Sequence, residues 1–123
     1  MNVWVWIGVA LLSGTAALAR FLLIALVSAR ATEAFTFPLG TFVVNISGAL
    51  LLGLIIGLAV EGDALVLIGT ATLGSYTTFS TWMLETERLV EDGRLVVAAS
   101  NILLGLVVGV GAIALGRAIG MQI

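Results

Sequence analysis

Four apolar runs separated by short polar connections account for nearly the whole chain. The first covers residues 3–27 and is interrupted by Ser13, Thr15 and Arg20. About 20 apolar residues suffice to cross a bilayer, so this run predicts a membrane-spanning helix. It is too long for the apolar core of a signal peptide and has no basic segment before it, which predicts a retained helix. Residues 28–37, with Arg30, Thr32 and Glu33, form a polar connection closed by Pro38, a residue tolerated in a helix's first turn. The second run covers residues 39–60 and stops at Glu61-Gly62-Asp63; the third covers 64–89, and the fourth 95–119, with Ser100 and Asn101 in its first turns. Between the last two, residues 87–94 carry Glu87, Arg88, Glu91, Asp92 and Arg94 and read as a solvated turn.

Two of these runs hold polar residues that a plain spanning helix does not need. On the second, Thr41, Asn45 and Gly48 are spaced by four and three and so share one helical face. Asparagine facing lipid is costly, so Asn45 must bond either to another helix or to a passing solute. On the third, seven of the nine side chains from Gly74 to Trp82 are hydroxyl-bearing or glycine. Ten residues of helix rise about 15 Å, roughly half the hydrocarbon core, which puts this stretch near the midplane. Irregular backbone at that depth survives only against protein or trapped water. The expectation is a helix broken there, with Gly74 adopting dihedrals other residues avoid and with freed carbonyls able to coordinate a hard cation. The bland alternative is that the hydroxyls bond back to their own helix. Beyond the break, Thr78, Thr81 and Glu85 share a face, and Phe79 and Trp82 lie on a neighbouring one.

Composition narrows the classes. The chain has 123 residues, enough for one domain, and 61% of them are hydrophobic against 10% charged, which marks an integral membrane protein of the all-α class. It has no cysteine and no histidine, so disulfides, thiolate metal sites and imidazole catalysis are excluded. A net charge of −2 offers nucleic acid nothing. With four spans, Arg30, Arg88 and Arg94 fall on one side and Arg117 on the other, a weak bias compatible with mixed orientation. Arg20 permits two readings, a guanidinium snorkelling to the headgroups or a functional cation in a watery vestibule. The pairs Gly53/Gly57, Gly105/Gly109 and Gly116/Gly120 imply close helix contacts.

The run Pro38-Leu39-Gly40-Thr41-Phe42-Val43-Val44-Asn45-Ile46-Ser47-Gly48, followed by Thr77-Thr78-Phe79-Ser80-Thr81, resembles the CrcB/Fluc family of fluoride channels, and length, span count and motif order extend the resemblance over the whole chain. It implies four transmembrane helices in one domain over residues 1–123 and an antiparallel, dual-topology homodimer in the cell membrane. Such a dimer would have two pores, a central structural sodium ion and passive fluoride export. Residue by residue, the resemblance assigns Gly74 and Thr77 to sodium through their backbone carbonyls, and Asn45, Phe79, Ser80 and Thr81 to the pore. Thr78, Thr41 and Trp82 join the pore set, and Arg20 and Glu85 fall toward its mouths. The chain departs from the family's pattern at Trp82, where a second phenylalanine is usual, at Ser75 beside Gly74, and at Leu12, Ser13 and Ala16 on the first helix.

The chemistry agrees with that implication. Fluoride is small and strongly hydrated, so a pore must replace its water with donors, which an asparagine amide and hydroxyls supply without a trapping full charge. Aromatic rings present a positive edge, which Phe79 and Trp82 can turn toward an anion. Four short helices cannot both enclose a polar path and shield it from lipid, so a second subunit is expected, identical or a paralogue. Three rivals fit less well. A small multidrug exporter needs a membrane-embedded carboxylate, which the first helix lacks; a structural subunit leaves the hydroxyl run without purpose; an enzyme would need a base or metal cluster beside Ser80.

Overall fold

The computed structural model describes residues 1–32 and 36–123; Glu33, one of the polar residues of the first connection, lies outside the described residues. Every element among the described residues is helical: α1 (Val3–Arg30), α2 (Leu39–Gly57), α3 (Gly62–Ala64), a π-helix (Leu65–Leu73), α4 (Gly74–Tyr76), α5 (Phe79–Glu91) and α6 (Leu95–Gly120). Three of them, α1, α2 and α6, are long and apolar enough to cross a membrane. The third apolar run is divided among α3, the π-helix, α4 and α5.

Local chemistry sets the helix ends. Asn2 caps α1, its Oδ1 accepting from the Val5 N–H at 3.1 Å. Helix α2 stops at Gly57, short of the expected residue 60, because Val60 N–H reaches back to the Ile55 carbonyl and Ala59 N–H to Ile56, both at 3.1 Å, with Ala59 in the left-handed region at φ 52°. The same closure ends α5: Arg94 N–H bonds Leu89 and Gly93 N–H bonds Val90, with Gly93 at φ 74°. There a glycine takes the left-handed position, as chirality favours.

Helices α2 and α6 make the most extensive contact in the chain. The glycine pairs explain it. A Cβ on Gly53 would collide with the Ile113 carbonyl, one on Gly57 with that of Arg117, and one on Gly116 with that of Leu50. The two backbones therefore touch directly, as two of the three predicted small-residue pairs require. The pair Gly105/Gly109 behaves differently, since Gly105 faces Trp82 of α5 and Gly109 meets only Ile46 Cδ1 at 3.8 Å.

The third run carries two features that differ from expectation. Residues 65–73 are π-helical, with the Gly74 N–H reaching back five residues to Gly69 and the Thr72 hydroxyl likewise to Leu67 at 2.7 Å. The irregular backbone lies at Thr77 (φ −82°, ψ 160°) and Thr78 (φ −147°, ψ 121°), whereas Gly74 has ordinary helical dihedrals of −63° and −33°. The interruption thus falls three residues beyond the glycine, at the point where another helix supplies partners for the backbone.

Candidate functional site

Asn45 supplies those partners. Its Oδ1 accepts from the Thr78 N–H at 2.8 Å and its Nδ2 donates to the Thr78 carbonyl at 2.9 Å. One side-chain amide therefore pairs with both polar groups of a single residue, as a neighbouring strand would. The N–H of Thr78 is the donor that a continuous helix would direct at the Gly74 carbonyl. With that donor held by Asn45, the helix cannot continue.

The predicted face of α2 turns toward the third run, meeting the interruption at Asn45 and Gly48 and α5 at Thr41. Thr41 Oγ1 donates to Glu85 Oε1 at 2.9 Å, Asn45 holds Thr78, and Gly48 lies so close to Thr77 that a Cβ would strike its Cγ2. Ser47, one residue before, shares a 2.9 Å hydrogen bond with the Tyr76 hydroxyl. Asn45, Gly48, Gly74, Thr77, Thr78 and Phe79 line a common cleft of about 320 Å³. Five of these were assigned from the sequence to the pore or the cation, and the fold brings them together.

Hydroxyls on the far side of the break form a short chain. Thr78 Oγ1 donates to Thr81 Oγ1 at 3.0 Å, accepts from the Thr81 N–H at 3.2 Å as the cap of α5, and lies 3.4 Å from Ser80 Oγ. Thr77 takes the bland course and bonds back to Leu73 at 2.9 Å. Phe79 is 70% exposed on the surface of the single chain, and Ser80 beside it is exposed as well.

Arg20 reaches the break from α1. Its Nη1 donates to the Ser75 carbonyl at 3.0 Å and to that of Thr77 at 3.4 Å, where the end of a helical segment leaves carbonyls without partners. A cation suits this position. Charge-assisted bonds are worth about 1.5–3 kcal/mol each. Arg20→Met, which keeps the stem and removes the donors, is expected to lower stability by about 2 kcal/mol, read as a lower unfolding temperature in detergent; Arg20→Lys should recover part of it. An unchanged unfolding temperature for Arg20→Met would reduce the arginine to a surface cation.

Glu85 faces a smaller cleft of about 150 Å³ with Thr36, Pro38, Arg88, Leu89 and Asp92. Its Oε2 is buried without a hydrogen-bond partner among the described residues. Trp82 turns away from the Asn45 cleft toward α6, where its Nε1 donates to the Asn101 carbonyl at 3.1 Å. Sequence reasoning missed Tyr76, Thr86 and Asn101 as members of these networks; a buried asparagine near the start of an apolar helix was the available signal for the last. Among the described residues no cluster of three acidic, histidine or cysteine side chains could hold a metal.

The profile of the family described as "CrcB-like protein, Camphor Resistance (CrcB)" matches residues 7–117, most of the chain including every site residue above. The chain belongs to the CrcB family. Its relatives include a protein of Mycobacterium tuberculosis (strain ATCC 25618 / H37Rv) named "Fluoride-specific ion channel FluC 2", 50% identical over 117 residues that cover 95% of this chain and 91% of the relative. Symbiobacterium thermophilum contributes two: a "FluC 1" 42% identical over 122 residues (95% of this chain, 96% of the relative) and a "FluC 2" 38% identical over 92 residues (71% and 75%). These relatives are named as channels and not as enzymes, in line with the sequence reading of a CrcB chain without catalysis. Family membership together with three apolar spanning helices makes this a multi-pass protein of the cell membrane.

Proposed function

We propose that this CrcB chain is a fluoride-selective channel through which fluoride leaves the cytoplasm passively. The observation that carries the reading is the Asn45–Thr78 clamp with its adjoining chain of Thr78, Ser80 and Thr81 hydroxyls, which sets neutral donors beside an aromatic ring in an otherwise apolar chain. The names of the relatives point the same way. Asn45 keeps one N–H free after bonding Thr78, and hydroxyls reorient, so each can give a hydrogen bond to a passing anion in place of water. Chloride, larger and with a more diffuse charge, gains less from the same donors.

In this reading residues 62–91 form the fourth crossing, third in chain order, interrupted near the midplane at Thr77 and Thr78. The single chain leaves Phe79 and Ser80 on its surface, so a second copy inserted in the opposite sense completes each of two paths. The donor chemistry at the break fits a central sodium ion: the Gly74 carbonyl has lost its helical donor to Asn45, and among the described residues the Thr77 carbonyl receives only the 3.4 Å contact from Arg20. Gly74 and Thr77 would hold the ion through these hard oxygens, and it would offset the charge of anions nearby. The occurrence of two relatives in Symbiobacterium thermophilum makes a paralogous second subunit the alternative to a homodimer.

The deciding experiment is fluoride efflux from liposomes holding the purified chain, read by a fluoride electrode with chloride efflux run in parallel. Fluoride release without chloride release is expected. Equal release of both would remove the selectivity, and no release unless a paralogue is added would replace the homodimer by a heterodimer.

A further inference from the structure

Trp82 is fastened to α6 through its indole N–H. Trp4 and Trp6, the remaining tryptophans, are 74% and 60% exposed at the start of α1. The Trp82 indole lies in a slot on α6 that exists because residue 105 is glycine: a Cβ there would stand 2.6 Å from Cζ2 and 3.2 Å from Nε1. One turn earlier, the Asn101 carbonyl accepts the indole N–H at 3.1 Å. Thr86 ties the same two residues from the other side, donating to the Trp82 carbonyl at 2.8 Å and accepting from Asn101 Nδ2 at 2.9 Å, with Asn101 1% and Thr86 8% exposed. The Trp82 side chain thus bonds Asn101 directly, and its carbonyl is linked to the same asparagine through Thr86. The indole in turn meets Phe79 edge to face, with centroids 5.9 Å apart and planes at 81°. Phe79 is otherwise mostly exposed.

We infer that Trp82 is a positioning residue, locked into the Asn101–Gly105 slot of α6, which fixes the orientation of the Phe79 ring at the ion path and acts on conduction through that ring without touching the ion. The inference rests on the fluoride-channel reading. Because Trp82 works through Phe79, removing both should cost no more than removing Phe79. Two independent contacts with the ion would instead give losses that multiply.

The test uses the full chain in a Trp4→Phe/Trp6→Phe background, where Trp82 is the sole tryptophan and is excited selectively over Tyr76 at the red edge of the absorption band. Phe79→Leu and Trp82→Leu are each expected to reduce fluoride efflux about tenfold, and the pair about tenfold again in total, not a hundredfold. Trp82→Phe, which keeps a ring beside Phe79 but has no N–H, should recover most of the rate. Gly105→Ala should expel the indole, moving its emission to the red, increasing acrylamide quenching and reproducing the Trp82→Leu rate. Multiplied losses in the pair, or full efflux in Trp82→Leu, would overturn the positioning role. Unchanged emission in Gly105→Ala would overturn the slot whatever the ion. A parent chain that passes no fluoride would remove the channel reading and this role together, while the emission still reports the slot.

Discussion

Asn45→Asp is expected to reduce fluoride efflux at least a hundredfold while the protein still elutes as the same assembly. The carboxylate accepts but does not donate, so the bond from Nδ2 to the Thr78 carbonyl is lost and two acceptors face each other in its place. Leaving a buried acceptor unpaired costs about 1–3 kcal/mol. A hundredfold fall in rate corresponds to about 2.7 kcal/mol, and repulsion between the carboxylate and an approaching anion adds to the first cost. Asn45→Gln separates the two effects. It keeps both donor and acceptor but sets them one methylene too far, so it should impair efflux by misplacing Thr78 without introducing charge. Efflux in Asn45→Asp equal to that of the unsubstituted chain would take Asn45 out of the path.

Gly116→Ala should destabilise the fold by about 2–3 kcal/mol, although alanine favours a helix over glycine by about 1 kcal/mol. The added methyl would meet the Leu50 carbonyl and, at 2.9 Å, the Leu54 backbone nitrogen, and backbone cannot swing aside as a side chain can. Gly111, on the same helix, has nothing within 4 Å of the equivalent position. Gly111→Ala is therefore expected to leave stability unchanged or raise it by up to about 1 kcal/mol. The comparison is made by thermal unfolding in detergent. Equal behaviour of the two variants would show that α2 and α6 do not approach as closely as the glycines allow.

Much of this architecture is legible before any coordinates. Apolar length marks α1, α2 and α6, and the spacing of Thr41, Asn45 and Gly48 puts them on one face, because helical periodicity is a local property. What they touch is not local. Nothing in an apolar run such as residues 65–73 distinguishes π from α spacing. The interruption looked as if it belonged to Gly74, the residue with the widest conformational freedom, but it lies at Thr77 and Thr78 because Asn45 on α2 competes for a backbone donor. Trp82 likewise reads as a neighbour of Phe79 facing the same way. Its place is decided by the missing side chain at Gly105, which only the packing of α5 on α6 reveals.

Arg20 and Asn45 both precede the irregular backbone in the chain, whereas the groups that hold α5 from outside, Asn101 and Gly105, follow it. This ordering matters during synthesis. When the segment around Thr77 and Thr78 leaves the ribosome, α1 and α2 are already made, and the partners for its unpaired carbonyls and N–H groups are waiting. The irregular backbone thus has its partners in the chain from its first appearance. Helix α6, made last, supplies the Asn101 and Gly105 contacts to Trp82 and the glycine contacts to α2.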